Sequence, residues 1–272
     1  MKILNGAELA SFIQERQAKQ IRGLRQAHGV FPKLVIIVAG QNPVIDTFVR
    51  LKEAYGADIL VDVEVVRPAD ADVATAIMEA SADPLVHGVV LQLPVPEGLD
   101  VDALVAKISP EKDVDNLGGG EVHVSATAMA IDWLLAGYNV DIKGKTIAIV
   151  GNGRLVGAPL AKLWQTAGHA VSVYDDTEKD LAGQLRKADI IVSATGVPGL
   201  VTSDMIAPGK AVVDAGTASE GGVIVGDVAA DVRERTDLTI TPIKGGVGPL
   251  TVAALFDNVI AAARSTVPKS ES

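Results

Sequence analysis

The chain has no cysteine, which excludes a disulfide framework, a thiolate nucleophile and sulfur-ligated zinc. Aromatic residues make up only 3%, so a core must be assembled from Ala, Val, Ile and Leu. Basic residues are in deficit: 24 Lys and Arg against 34 Asp and Glu give a formal net charge of −10. A general nucleic-acid binder needs a basic face and stacking rings, so no nucleic-acid partner is expected. A small anionic ligand is not excluded, because backbone dipoles bind phosphate even within an acidic protein. No apolar run approaches the roughly 18 residues of a membrane span. The opening MKILNGAELASFIQ lacks the basic stretch and apolar core of a signal peptide. A soluble, cytoplasmic protein with no membrane partner is the expectation. The four histidines, His28, His87, His123 and His169, are scattered without ligand spacing, so no metal site is expected.

What is present is aliphatic bulk. Hydrophobic residues fill 48% of 272 positions, enough for two domains of roughly 100–200 residues each. Asn5 can cap a helix over 6–27, closed by His28-Gly29. Leu34–Ala39 is short, β-branched and wholly apolar, as suits a buried parallel strand. A helix over 44–55 ended by Gly56, a strand over 59–66, a helix over 71–80 and a strand over 86–91 follow. Beyond the loop DVDNLGGG, a helix over 126–135 leads into a second series: strand 146–150, helix 156–167 and strand 170–174. Strands near 190–193, 211–214 and 238–240 continue it, before a last helix from 249 or 251 to 265. Strands and helices alternating over short connections predict right-handed βαβ units, hence an α/β fold with parallel sheets in two lobes.

The segment IAIVGNGRLVGAPLA sets Gly151, Gly153 and Gly157 after a strand and before a helix. The first glycine permits a tight turn, the second lets backbone approach a pyrophosphate, and the third sits at the helix–strand contact. The helix N-terminus offers unpaired N–H groups and a positive dipole end to the anion. The spacing is one residue longer than the usual dinucleotide fingerprint, and the strand–turn–helix context is what points to a nucleotide. At the end of the next strand, Tyr174-Asp175-Asp176 places acid where ribose hydroxyls bind, which favours NAD over NADP. A solvated acidic turn is the other reading, and Arg154 could still pair with a 2′-phosphate.

Five separated segments carry a resemblance: GQNPVIDTFVRLK (40–52), GVVLQLPVP (88–96), SPEKDVDN (109–116), GKTIAIVGNGRLVGAP (144–159) and TPIKGGVGPLTVA (241–253). In this order they resemble the bifunctional methylenetetrahydrofolate dehydrogenase/cyclohydrolase family of one-carbon metabolism. The resemblance implies an N-terminal α/β catalytic lobe, a Rossmann-type lobe and a last helix returning to the first. The corresponding division is 1–128 with 250–272 for folate, and 129–249 for NAD or NADP. It also implies a homodimer that oxidises 5,10-methylenetetrahydrofolate and then hydrolyses the methenyl product to 10-formyltetrahydrofolate.

By the same resemblance Lys52, Gln92 and Asp115 are catalytic. Phe48, Pro94, Gly245, Gly246 and Pro249 join them in binding folate. Gly151, Asn152, Gly153, Arg154, Leu155, Val156, Asp175, Thr195, Gly196 and Gly216 hold the cofactor. Phe48 and Lys52 lie four apart on a predicted helix, so they share a face; the ring could stack on a pterin. Gln92 could orient Lys52 or an attacking water, and Asp115 could accept pterin N–H groups. Lys112 and Asp113 read equally as a loop ion pair.

The chain departs from the family pattern at several places. Phe48 replaces a Tyr, Ser125-Ala126-Thr127-Ala128 replaces Pro-Cys-Thr-Pro, Asn152-Gly153 replaces Arg-Ser, and Lys244 replaces Pro. The loop after Asp115 is also short. Two other functions therefore stay open on the residues alone. One is a dehydrogenase with weak or lost cyclohydrolysis; the other is a non-catalytic folate or nucleotide binder.

Overall fold

A computed structural model of the chain describes residues 1–220 and 223–268. In chain order it begins with β1 (Lys2–Ile3), α1 (Gly6–His28), β2 (Lys33–Val38), α2 (Pro43–Ile59), β3 (Asp62–Val66), α3 (Val73–Ala82), β4 (Gly88–Gln92) and α4 (Val101–Val105). Next come α5 (Ala126–Gly137), β5 (Thr146–Val150), α6 (Gly157–Thr166), β6 (Ala170–Tyr174), α7 (Leu181–Lys187), β7 (Ile190–Ser193) and β8 (Ala211–Asp214). The hairpin strands β9 (Ala218–Glu220) and β10 (Val223–Val225) precede α8 (Ala230–Arg233), β11 (Thr239–Ile240) and α9 (Val247–Ser265). Two units are distinguished, one of Ser11–Ala126 with Val252–Ser272, the other of Met1–Ala10 with Thr127–Thr251.

The unit containing β2 to β4 has a parallel three-stranded sheet in the order β3-β2-β4. Strands β2 and β4 are nearly continuous in Val, Ile and Leu because both faces are covered, whereas β3 at the edge exposes Asp62 and Glu64. Val35, Ile37, Val89 and Leu91 pack with Val73 and Ile77 of α3 and Leu104 of α4. Each such aliphatic side chain contributes about 1.5–3 kcal/mol when buried, which is how a chain so poor in rings makes a core. The register pairs Val38 with Gln92, so Gln92 ends its strand at the carboxyl edge of the sheet.

The second unit holds a six-stranded, all-parallel sheet in the order β1-β11-β8-β7-β5-β6. Strand β6 flanks β5 on one side, and the chain then crosses to β7 on the other. That reversal is the topological switch point, where α/β sheets bind ligands beyond their carboxyl ends. The first ten residues join this unit because β1 pairs with β11.

Helix α2 differs from expectation. Asn42 caps it by accepting from Val44 N at 2.9 Å, with Pro43 in the first turn, where a missing N–H costs nothing. The sequence ends it at Gly56, but the helix runs on to Ile59 and closes on Leu60 in the left-handed region (φ 69°). Gly56 is a packing residue: a Cβ there would lie 2.4 Å from Val63 Cγ2 and 3.2 Å from Phe256 Cζ. Strand β3 accordingly starts at Asp62 rather than Ile59.

Helix α9 starts at Val247, two residues before the earliest expected start. Contrary to the expectation from sequence, it is long and apolar enough by length and composition to cross a membrane, with mean hydropathy 1.2. It is a core helix here, with Ala253, Ala254, Leu255, Phe256, Val259 and Ile260 buried.

Candidate active site

Phe48 and Lys52 stand one turn apart on α2. The Lys52 ammonium donates to Gln92 Oε1 at 2.7 Å, while Gln92 Nε2 donates to its neighbour Leu93 O at 3.0 Å. The second bond orients the amide so that its oxygen faces the lysine. Pro94 follows through a cis peptide bond and is exposed. Tyr55 does not supply the hydroxyl missing from Phe48: it donates to Gln17 Oε1 at 2.7 Å and stacks on Phe256 at 5.2 Å between ring centroids.

Asp115 shares this environment. Burial holds Lys52 below the ordinary lysine range, and the negative charge of Asp115 partly offsets the shift. Burial pushes Asp115 up, Lys52 opposes the rise, and Asp113 adds to it. An ammonium that gives up its proton more readily stands with a carboxyl that keeps its own more readily. Such opposed shifts make the pair readier to exchange protons than either group would be in water.

The loop carrying Asp115 is built from backbone bonds rather than ion pairs. Val89 N donates to Lys112 O at 2.8 Å, tying the loop to β4. The buried Asp113 carboxylate accepts from Leu117 N at 3.1 Å and Gly118 N at 2.8 Å. Lys112 Nζ donates to Ser81 O and Asp83 O at 2.8 and 2.6 Å. The expected alternative, a Lys112–Asp113 loop pair, gives way because each side chain satisfies peptide groups that would otherwise lack partners. Asn258 of α9 donates to Val114 O and Val124 O, both at 2.8 Å, and holds the two ends of the segment.

In the other unit the glycine turn follows β5. Gly151 has φ 98°, and a Cβ on it would lie 2.5 Å from Ala194 O. A Cβ on Gly157 would lie 1.8 Å from Gly151 O, whereas one on Gly153 meets nothing within 4 Å. The first and third glycines are thus enforced by backbone contact, and the second leaves open space beside the turn. Helix α6 has no side-chain cap at its N-terminus. Asn152, Gly153, Arg154 and Leu155 are exposed and Val156 is half-buried. In the first turn Ala158 N and Leu160 N already donate to Gly153 O and Val156 O, and Pro159 has no N–H, so the expected row of unpaired donors is reduced. The open side at Gly153, the positive end of the helix dipole and a switch-point location are what fit the pyrophosphate of a dinucleotide.

Neighbouring strands bring further expected residues to the same edge. Val150 pairs with Tyr174, which places Asp175 beside the turn. Its Oδ1 accepts from Thr177 N at 3.0 Å and Thr177 Oγ1 at 2.6 Å, bonds that hold the exposed carboxyl below the usual range. Thr195 and Gly196 (φ 72°) follow β7, and Gly216 follows β8. Gly245 (φ 79°), Gly246 and Pro249 lead into and open α9, with Ala7 N donating to Gly245 O at 3.0 Å. A Cβ on Gly6 would meet Gly246 O at 1.8 Å. These residues belong to the nucleotide-type unit, and Lys52, Gln92 and Asp115 to the other.

Beneath the ends of β7 and β8 lies a buried polar group that the sequence did not reveal. Asp227 Oδ2 accepts from Ser193 Oγ, Thr195 N and Thr195 Oγ1, and Asp214 accepts from Arg233 at 2.5 Å. Its carrier, Gly226-Asp227-Val228, reads as an ordinary turn.

Family models described as tetrahydrofolate dehydrogenase/cyclohydrolase match the chain twice, the catalytic domain over residues 4–115 and the NAD(P)-binding domain over 125–267. The bifunctional protein FolD of Bordetella avium is 36% identical over 289 residues, covering 98% of this chain and 98% of its own. That of Macrococcus caseolyticus is 33% identical, covering 97% and 98%. The Campylobacter jejuni bifunctional FolD structure aligns with a TM-score of 0.91 at 32% identity, covering 97% of this chain and 99% of that one. The Trypanosoma brucei FolD, solved with NADP cofactor and inhibitor, gives 0.91 at 32% identity with 98% of each covered.

Proposed function

The chain belongs to the tetrahydrofolate dehydrogenase/cyclohydrolase family, and from that membership we propose how its residues divide the two reactions. The enzyme oxidises 5,10-methylenetetrahydrofolate to the methenyl form with a nicotinamide dinucleotide. It then hydrolyses that form to 10-formyltetrahydrofolate, within one-carbon metabolism.

The observation that carries the assignment of Lys52 is its 2.7 Å bond to Gln92 together with its burial-lowered basicity. We assign Lys52 the proton exchange of hydrolysis: neutral Nζ takes one proton from the water that adds to the methenyl carbon, then returns it to N5 as the carbon–N5 bond breaks, while the second proton leaves to solvent as the formyl C=O forms. Gln92 holds Nζ in place through its oxygen. Asp115 accepts hydrogen bonds from the pterin N–H groups, a two-point recognition that discriminates strongly because mispaired buried groups are costly. Phe48 offers its ring to the pterin face. When bound, the nicotinamide supplies the hydride acceptor. The chain's own part in that step is to orient it, with Gly151 to Val156 taking the pyrophosphate and Thr195, Gly196, Gly216, Gly245 and Gly246 bordering it as close-approaching backbone.

We further propose that NAD serves at least as well as NADP. Asp175 stays anionic and keeps its second oxygen out of the Thr177 bonds, which suits ribose hydroxyls. A 2′-phosphate carrying roughly −1.5 to −2 would be repelled. Asn152-Gly153 also removes the cation and hydroxyl that the usual Arg-Ser pair would offer. The family resemblance is the support for a homodimer, which sedimentation tests.

One spectrophotometric assay tests the whole reading. With methylenetetrahydrofolate and each cofactor in turn, absorbance of the methenyl product should rise and then decay. A rise without decay would remove the hydrolytic half, and no rise with either cofactor would overturn the assignment.

A further inference from the structure

We propose that Asp227, backed by Asp214, is a positioning residue for the nicotinamide cofactor, its buried carboxylate fixing the spacing of the loops that follow β7 and β8. The inference deepens the cofactor reading above and rests on it. Asp227 is fully buried. Its Oδ2 accepts from Ser193 Oγ at 2.7 Å, Thr195 N at 2.7 Å and Thr195 Oγ1 at 2.9 Å. Thr195 Oγ1 in turn accepts from Val197 N at 3.1 Å. One oxygen therefore orders the loop after β7 as far as residue 197. The Asp227 amide donates to Asp214 Oδ1 at 3.0 Å, and Gly216 N donates to the same oxygen at 3.1 Å. The loop after β8 is fixed by the same pair.

Two glycines show how closely the pair is packed. A Cβ on Gly216 would lie 2.0 Å from Asp227 Oδ1, and one on Gly226 would lie 2.1 Å from Asp214 Oδ2. Each carboxylate abuts the backbone of the other's segment with no room for a methyl group. Asp214 extends the network: its Oδ2 accepts from Val228 N at 3.1 Å and from Arg233, which also donates to Thr241 O. Thr241 starts the run toward Gly245, so a third loop is held as well.

Stability alone does not account for this arrangement. Two carboxylates pack together, the guanidinium of Arg233 reaches only Asp214 of the two, and Asp227 Oδ1 has no hydrogen-bond donor among the described residues. Burying such a group is costly, and apolar replacements usually serve stability as well or better. What the network delivers is geometry: the loops bearing Thr195, Gly196 and Gly216 are held at one separation at the carboxyl edge of the sheet.

The test uses hydrolysis as an internal control, since that step needs no nicotinamide and Lys52, Gln92 and Asp115 belong to the other unit. NAD and NADP are titrated calorimetrically into the native enzyme, Asp227→Ala, Asp227→Asn and Gly216→Ala, and both activities are measured. Asp227→Ala should raise cofactor Kd and KM by about tenfold or more, the scale of lost charge-assisted hydrogen bonds. Its folate KM and hydrolysis rate should stay native. Asp227→Asn, which keeps an acceptor for Thr195 N, should recover most of the affinity. Gly216→Ala, which keeps the carboxylate but displaces the loop, should raise cofactor KM even where Asp227→Ala fails to fold. Native cofactor affinity in Asp227→Ala or in Gly216→Ala overturns the inference. So does a parallel fall of both activities without a change in cofactor KM. A native enzyme that binds neither dinucleotide overturns the cofactor reading itself, and this inference with it.

Discussion

Gly157 and Gly151 are in backbone contact: the Cβ that Gly157 lacks would fall 1.8 Å from the carbonyl oxygen of Gly151. Gly157→Ala should therefore force the turn open. Overpacking of this kind typically costs 1–3 kcal/mol, so a lower melting temperature and weaker dinucleotide binding are expected together. Gly153→Ala meets nothing within 4 Å, so its stability should change by less than about 0.5 kcal/mol while dinucleotide affinity still falls. Equal stability for the two variants would contradict the contact.

Lys52→Met should abolish hydrolysis and leave the fold intact. General acid–base groups typically contribute about 10²–10⁴-fold, and the methionine keeps the length of the chain without its proton. Decay of pure methenyl substrate is the measurement, with circular dichroism as the check on folding. Full hydrolysis by the folded variant would take Lys52 out of the mechanism.

Asp115→Asn should move the pH profile of hydrolysis. In the native enzyme the Asp115 charge pulls Lys52 upward against the lowering by burial. Removing that charge lowers Lys52 further, so the limb on which hydrolysis rises with pH should shift to lower pH. A shift in the opposite direction would contradict the coupling. Asp115→Ala should weaken folate binding by about 1.5–3 kcal/mol, the range for hydrogen bonds to a charged group, with nucleotide affinity unchanged.

Asp175→Ser should shift the cofactor balance. Comparison of kcat/KM for NAD and NADP should show no NADP preference in the native enzyme. The variant should gain a few-fold toward NADP, the scale of a solvent-screened charge interaction. A native NADP preference that the substitution leaves unchanged would show that Asp175 does not face the ribose.

The parts legible in the sequence were those with a local signature. Short β-branched runs marked β2, β5 and β7, and the strand–glycine–helix order around Gly151 marked the nucleotide turn because backbone sterics demand it. Lys52, Gln92 and Asp115 came from segment resemblance, and the Lys52–Gln92 bond gives two of them a shared geometry. Gly56 misled because a helix-ending glycine and a close-packing glycine look the same until Val63 and Phe256 are in place. Asp227 and Asn258 were invisible, and Asp113 was read as an ion-pair partner, for a related reason. Each satisfies backbone groups brought near by the fold, from 4 to 144 positions away in the chain, and no spacing records that. β1 pairs with a strand more than two hundred residues later, and its two residues are too few to show a period.

The position of α9 has a consequence for biosynthesis. Phe256 packs against Gly56 and Tyr55, and Asn258 secures the carbonyls of Val114 and Val124. Between those partners and α9 the chain lays down residues 127–251, nearly all of the other unit. On the ribosome, the unit whose bulk emerges first, from Ser11 to Ala126, is thus finished last. A nascent chain halted at residue 251 would carry Lys52, Gln92 and Asp115 in full, yet lack the part of α9 with Asn258, which anchors the loop bearing the third of them. Nucleotide-binding structure can mature on such a chain before folate chemistry becomes possible.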